Sequence, residues 1–266
     1  MVSRAVPNVR LLQSTQKAKE LLVFSKNTRL TMTANMYDDI VNRKDQWTEE
    51  KIDSELDYMA NTIPSSWEFC DLYFIITGVS RAFTHQFVRN RTNSYAQQTM
   101  RVLDMCEFDY VFTRPYTDLP TDREPTKEEF INMSYDFHTN KALEEVQKRY
   151  NAMIEDGVPA EDARGILPTN IATNILAKIN LRTFADMAKS RTGGRTQGEY
   201  QMIMNQMVDE VLKVHPWAEK FFFKQGRDYF KDLEDLCAEI FGSGTTKENL
   251  HTKGRFLKII DKMRKG

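Results

Sequence analysis

A strand-like run that leads directly into a short helix is the sequence feature that most constrains the fold. Residues 69–77 are rich in aromatic and β-branched side chains, which favours a strand. Ser80 can cap a helix whose apolar stripe would be Phe83, Phe87 and Val88. The pattern therefore predicts a strand followed at once by a helix that ends near residues 92–94, where turn-forming residues begin.

Polar side chains alternate with other residues after this helix. If the segment from residue 95 to residue 102 is an extended strand, one of its faces carries Tyr95, Gln97, Thr99 and Arg101. The preceding helix and turn add Gln86, Arg89 and Arg91. Guanidinium groups present paired donors to phosphate oxygens and stay charged at any working pH. The cluster predicts a site for a phosphate-bearing ligand, and a solvated polar hairpin is the simpler alternative.

A second block, residues 159–201, contains an arginine at an unusual position. Thr183 can cap a helix whose apolar positions include Phe184 and Met187. Arg191 falls on the same stripe, seven residues after Phe184. A buried cation needs an anionic or carbonyl partner, so Arg191 either pairs with a carboxylate or awaits a ligand. Position alone leaves both possibilities open.

Asp186 and Arg164, two other polar residues of this block, also have ordinary structural explanations. Thr183 and Asp186 have the spacing of a capping box, in which the acid also favours the start of the helix. Arg164, taken alone, is a solvated arginine near a helix end.

Composition narrows the class of protein. The chain has 266 residues with 41% hydrophobic content, enough for one sizeable core. A formal net charge of −1 gives no reason to expect nucleic acid or an anionic membrane as partner. Three cysteines without metal-ligand spacing favour reduced thiols and no metal site. The N-terminus shows no apolar leader, and the best apolar run, residues 72–79, is too short to span a bilayer, so we expect a cytoplasmic protein.

Other segments supply the scaffold. Residues 9–12 have the character of a short strand, residues 16–25 that of a helix, and the charged segment 28–62 is predicted to be helical. Apolar positions from Phe130 to Met153 predict a long amphipathic helix.

The first block resembles the signature of the flavin-dependent thymidylate synthases, which is Arg-His-Arg, seven residues and then Ser. Here Arg89, Asn90 and Arg91 are followed by seven residues and then Thr99. The flanking matches in register are SRAF from residue 80, His85-Gln86, Ser94-Tyr95, Gln97-Gln98 and Arg101. The second block resembles the same family at Ala163-Arg164 with Leu167-Pro168, at Asn180-Leu181-Arg182-Thr183 and at Arg191. The resemblance extends roughly over residues 9–222.

This resemblance implies an α+β fold with a mixed or antiparallel sheet flanked by long helices. It also implies a single domain that forms a homotetramer with sites assembled from several subunits. We expect that domain to occupy residues 1–224 and residues 225–266 to form a C-terminal helical extension.

The resemblance also implies a chemistry. Family members bind FAD, use NADPH and methylenetetrahydrofolate as co-substrates, and methylate carbon 5 of dUMP to give dTMP. The implied nucleotide contacts are Gln86, Gln97, Thr99, Arg101 and Arg164, with Arg191 on the pyrimidine ring. The implied flavin contacts are Ser66, Arg89, Asn90, Arg91, Gln97, Asn180, Arg182 and Asp186. Arg191, Arg89 and Arg91 are the implied catalytic groups.

Several positions depart from the family pattern. Asn90 replaces a histidine, Thr99 a serine and Asp186 an asparagine, and residues 63–69 lack two further histidines. Arg195 stands where family members have a further histidine. Asn90 cannot become cationic, and Asp186 adds an acceptor that could suit the amino group of cytosine. Three hypotheses follow: a thymidylate synthase, a variant that acts on dCMP or makes a hydroxymethyl product, and a non-catalytic nucleotide-binding regulator.

Overall fold

The computed structural model of the chain describes residues 2–28, 30, 32–101, 105, 107, 109–116, 118, 120–193 and 196–222. The helical extension predicted for residues 225–266 lies outside the described residues, so it stays a prediction, and so does the domain boundary. Arg195, Cys106 and Cys237 also lie outside them.

A four-stranded sheet forms the centre of the fold. Its strands are β1 (Asn8–Ser14), β2 (Asp71–Ser80), β3 (Ser94–Gln97) and β4 (Ala172–Asn180). They lie in the order β1-β2-β4-β3, and each neighbouring pair is antiparallel. The α+β prediction is confirmed, with an antiparallel sheet. β3 is shorter than expected: it ends at Gln97, so Thr99 and Arg101 do not share a strand face with it.

Nine α-helices are described. They are α1 (Ala18–Lys26), α2 (Ala34–Val41), α3 (Glu49–Thr62), α4 (Arg81–Phe87), α5 (Lys127–Glu155), α6 (Ala160–Ala163), α7 (Leu181–Arg191), α8 (Gly198–Val214) and α9 (Glu219–Phe222). The charged segment 28–62 contains two helices because Thr33 and Thr48 each cap a new start with a side-chain oxygen. Among the described helices, none is long and apolar enough to cross a membrane.

One face of the sheet carries the main core. Phe74, Ile76, Ile175 and Ala177 are fully buried there. Phe184 of α7 stacks on Phe74 with ring centres 5.4 Å apart. This burial fixes the position of α7 against the sheet, because close-packed aromatic rings leave little freedom to shift.

The long helix α5 packs through its second half. Leu143 and Tyr150 are buried with Tyr110 in a second apolar cluster. Phe130 and Phe137, which the sequence pattern placed on the inward stripe, are 54% and 57% exposed, so that part of the prediction is wrong for the single chain. The first half of α5 instead makes polar contacts: Arg114 donates to the Asn132 side-chain oxygen at 3.0 Å, and Arg4 pairs with Asp136.

The pairing of β2 with β4 is interrupted around Gly78, just before α4 begins. The register with β4 shifts between Ile76 and Val79, and the N–H of Gly78 donates to the Asn174 side-chain oxygen at 3.0 Å. Gly78 has φ +66°, and a Cβ placed there would lie 2.7 Å from the Val6 carbonyl oxygen. Only glycine combines this backbone conformation with that close approach.

Replacing Gly78 with alanine should therefore lower the free energy of unfolding by about 2–4 kcal/mol, since strain at positive φ adds to a clash with backbone. Gly157→Ala is the matched control, because Gly157 has φ +85° but nothing within 4 Å of the added Cβ. That variant should lose only about 1 kcal/mol. Urea denaturation measures both, and equal losses would show that the contact with Val6 is unimportant.

Candidate functional site

The first component of the site is the junction of β2 and α4. The Ser80 hydroxyl accepts from the N–H of Phe83 at 2.9 Å, which confirms Ser80 as the cap. The buried Glu199 carboxylate accepts from the Ser80 N–H at 2.7 Å and from its hydroxyl at 2.6 Å. Phe83 and Phe87 are buried as predicted, but the helix ends at Phe87 and Val88 is 38% exposed.

The early end of α4 creates a turn over residues 88–93. Tyr95 holds this turn, because its hydroxyl donates to the Phe87 carbonyl at 2.9 Å. β3 then begins at Ser94 opposite Lys178, two residues before β4 ends at Asn180. The turn is thereby placed beside the start of α7.

The second component is the junction of β4 and α7. Asn180 caps α7, since its side-chain oxygen accepts from the N–H of Thr183 at 2.9 Å. The prediction of Thr183 as the cap, with Asp186 completing a capping box, is wrong because the helix starts earlier, at Leu181. The Thr183 hydroxyl is instead 3.0 Å from the Thr92 hydroxyl of the turn. Asp186 is exposed.

A cleft of about 730 Å³ lies between these components. It is lined by Glu68, Asn90, Thr92, Asn180, Arg182, Thr183, Asp186, Met187, Ser190 and Arg191. Five residues predicted from two distant stretches of sequence are thus brought together: Asn90, Asn180, Arg182, Asp186 and Arg191. A volume of this size is typical of pockets for small organic ligands.

Arg191 is the last residue of α7 and opens into the cleft. Phe184, Met187 and Ala188 are buried as the apolar stripe required, but Arg191 is exposed because the helix ends there. Its guanidinium lies 5.2 Å from the centre of the Tyr200 ring. Within the part of the chain that is described, no carboxylate lies within 4.0 Å of it. The cation is free to meet an anionic or carbonyl ligand.

Arg182 is held at the mouth of the cleft by an acid that sequence reasoning missed. Its Nη1 lies 2.7 Å from Glu68 Oε1, and the side chains are 45% and 50% exposed. Such an exposed pair contributes about 0–1 kcal/mol, so a ligand can displace it. The available signal was that Glu68 is the only charge in the run from Ile63 to Cys70.

Arg101 and Arg164 lie at a different place, around Glu161. Arg101 Nε is 2.8 Å from the Glu161 carboxylate, and Arg164 Nε donates to the Glu161 carbonyl at 3.0 Å. Thr99 is exposed and accepts from the N–H of Arg101 at 3.1 Å. This local hydrogen bond turns the chain where a continued strand was predicted.

Arg81, which sequence reasoning did not single out, lies beside Arg164. Burial, and then the nearby charge of Arg164, lower the pKa of Arg81. Its Nη2 donates to the Gln98 carbonyl at 3.1 Å, while its Nε is buried without a partner among the described residues. Arg101 and Arg164 contact Glu161, and Arg81 lies beside Arg164; these three arginines are here named the arginine patch, and they carry three positive charges. Such an excess favours an anionic ligand.

The other predicted residues are not in the cleft lining. Arg89 and Arg91 are exposed on the 88–93 turn, without a carboxylate partner among the described residues. Gln86 donates to Gln197 at 3.2 Å. The Gln97 amide donates to Thr84 at 2.9 Å, so it serves packing in the single chain. Ser66 is 6% exposed in a 3-10 helix, Pro64–Phe69.

Cys70 is poorly placed to act as a nucleophile. It is buried, and burial raises the pKa of its thiol to about 12, so the thiolate is scarce at neutral pH. Nor do the described His, Cys, Asp and Glu side chains include a group of three placed to hold a metal ion.

Comparison with known proteins gives consistent results. The model of a family described as thymidylate synthase complementing protein matches residues 10–217. A flavin-dependent thymidylate synthase of Sulfurisphaera tokodaii is 36% identical over 143 residues, which is 54% of this chain and 51% of that protein. One of Clostridium tetani is 31% identical over 191 residues, 65% of this chain and 72% of that protein. The chain thus spans about half the length of the first of these relatives.

A solved structure shares the fold. The UMP/dUMP methylase PolB of Streptomyces cacaoi, bound with 5-Br dUMP, superposes with a TM-score of 0.69 at 17% identity. The alignment covers 84% of this chain and 96% of that one. The family match extends across both junctions that build the cleft. The resemblance read from the two sequence blocks is confirmed: the chain belongs to the thymidylate synthase complementing protein family.

Proposed function

We propose that this protein is a flavin-dependent enzyme that methylates carbon 5 of dUMP. Methylenetetrahydrofolate would donate the carbon unit and NADPH the reducing equivalents, with FAD as cofactor. The observation that carries the proposal is the cleft, in which Arg191 has no carboxylate partner among the described residues and is joined by four predicted flavin contacts from distant stretches.

The chemistry of the cleft lining fits a flavin ring. Asn180 uses its oxygen to cap α7, which leaves its amide hydrogens for a ligand carbonyl. Arg182 uses one nitrogen for Glu68 and keeps other donors. Asp186 can accept from a ring N–H. Carbonyl oxygens alternate with an N–H along the edge of the flavin ring, and this mixed set of donors and one acceptor complements that edge.

Bound flavin would supply the hydride that reduces the transferred carbon to a methyl group. The chain's own residues would hold the pyrimidine and stabilise charge. As carbon 5 becomes nucleophilic, negative charge develops on the ring carbonyls. Arg191, fixed at the end of α7 over Tyr200, offers a permanent cation for that charge.

The arginine patch would bind the phosphate. Arg81 and Arg164 are close enough for one charge to lower the pKa of the other, which is unfavourable without an anion between them. A dianionic phosphate would relieve that repulsion and accept paired hydrogen bonds. Arg89 and Arg91, exposed on the turn, would complete a site shared between subunits.

The shared site requires assembly, and we propose the homotetramer that the family resemblance implies. Exposed apolar side chains support it: Phe130 and Phe137 on α5, and Leu176 on the sheet face opposite the main core. Multi-angle light scattering should give four times the chain mass of 31.1 kDa. A monomer that turns over dUMP would refute this part.

The enzyme assignment is tested with the purified chain. It should bind FAD and consume NADPH only when dUMP and methylenetetrahydrofolate are both present, giving dTMP by mass spectrometry. Arg191→Ala should lower kcat/KM about 10²–10³-fold, the usual cost of losing a preorganised charge stabiliser.

Arg149→Ala provides the matched control. Arg149 is an exposed arginine whose described ion pair is with Glu145 on its own helix, so activity should not change. Nucleotide binding without flavin reoxidation would instead favour the non-catalytic regulator.

One observation favours the cytosine variant as a second candidate. Asp186 lines the cleft, and no described cation lies within 4.0 Å of its carboxylate, so in this second candidate the acceptor would meet the cytosine amino group instead of the flavin N–H. If dCMP is the substrate, Asp186→Asn should lower the dCMP-to-dUMP ratio of kcat/KM about tenfold. Assays with dUMP, dCMP and UMP and mass analysis of products measure this. Exclusive turnover of dUMP by the unmodified enzyme would rule out the hypothesis that dCMP is the substrate.

A further inference from the structure

Tyr200 is a buried tyrosine that the proposed chemistry does not yet use. It lies in α8, is 1% exposed, and packs edge-on against Phe83 at 5.1 Å and Phe87 at 6.2 Å between ring centres. Its hydroxyl oxygen is buried and makes no hydrogen bond of normal geometry with any described residue. A phenylalanine would satisfy the same aromatic packing without this unpaired group.

The hydroxyl lies behind two residues of the cleft wall. Burial raises the pKa of Tyr200, while the Arg191 guanidinium and the Asn90 amide, both beside the oxygen, act in the opposite direction. Both neighbours approach as hydrogen-bond donors, so they compete for the lone pairs of one oxygen. The Arg191 guanidinium also lies 5.2 Å from the centre of the Tyr200 ring.

Fold stability does not explain this arrangement. A buried hydroxyl without a partner costs free energy, and removing it loses no hydrogen bond of the resting chain. Groups kept at a cost to stability concentrate at functional sites. The two residues that Tyr200 contacts, Asn90 and Arg191, come from different stretches and meet in the same cleft.

We propose that Tyr200 is a positioning residue that fixes the Arg191 guanidinium for the nucleotide ring. Its ring supports the cation from behind, and its hydroxyl oxygen accepts one guanidinium N–H when ligand draws Arg191 inward. The remaining N–H groups then point into the cleft. The Asn90 amide lies beside the same hydroxyl. This inference rests on the proposed function, because it acts through the pyrimidine-binding role of Arg191.

The test compares dUMP binding and stability in the FAD-loaded protein. Tyr200→Phe keeps the ring and removes the hydroxyl. It should weaken dUMP binding about fivefold or more, the range typical of a lost buried contact to a charged group, and lower kcat as well. Its Tm should stay the same or rise, because no hydrogen bond of the resting chain is lost. Calorimetric titration and thermal unfolding give the two readouts.

Tyr110→Phe is the matched control. Tyr110 is equally buried, but its hydroxyl lies 3.3 Å from the Gln147 side-chain oxygen in the second apolar cluster. This variant should lower Tm and leave dUMP affinity within about twofold, because its bond is structural and Tyr110 does not line the cleft that contains Arg191. If Tyr200→Phe instead lowers Tm and leaves affinity unchanged, Tyr200 is structural and the inference is wrong.

A double-mutant cycle with Arg191→Ala identifies the route of the effect. If Tyr200 acts through Arg191, Tyr200→Phe should change dUMP affinity less than about twofold when Arg191 is already alanine. Independent, multiplying effects would overturn the inference. Failure of the proposed function looks different: unmodified protein would not bind dUMP, or Arg191→Ala would bind it normally. Loss of binding in Arg191→Ala but not in Tyr200→Phe would refute the positioning role alone.

Discussion

Two side-chain caps at strand-to-helix junctions determine where the cleft between the turn and α7 lies. Ser80, held by the buried Glu199, starts α4 at the end of β2, and Asn180 starts α7 at the end of β4. Because β2 and β4 are antiparallel neighbours, the two helices leave opposite ends of the sheet. The turn after α4 brings the chain back to the Asn180 end, so residues far apart in sequence share one cleft.

Charge is distributed unevenly over the described part of the molecule. On the N-terminal helices, Lys19 and Arg43 are paired with carboxylates. In the cleft and the arginine patch, Arg191 and Arg81 have no carboxylate within ion-pair distance among the described residues. Cations without partners repel one another and lower stability unless an anion binds. The same arrangement that weakens the resting protein would favour the anionic nucleotide that we propose as its ligand.

Asn90 fits this distribution. A neutral amide replaces a group that could become cationic, and its Nδ2 donates to the Phe87 carbonyl at 3.1 Å, so it shapes the turn as well as the cleft. Positive charge in the cleft comes from Arg182 and Arg191, and Arg182 forms an ion pair with Glu68. In the proposed reaction, charge stabilisation would therefore depend on Arg191, and the proposed support by Tyr200 would act on that cation.

Sequence alone determined the elements whose causes are local. The Ser80 cap, the strand before it, the buried Phe83 and Phe87, and the two blocks that carry the family resemblance were all readable because capping and periodicity act over a few residues. Tertiary structure decided the rest. It ended β3 at Gln97, moved the α7 cap to Asn180, and placed Glu68, Arg81 and Tyr200 near the predicted residues. Those contacts join residues up to 114 positions apart, as in the Arg182–Glu68 pair, and no local pattern encodes such a distance.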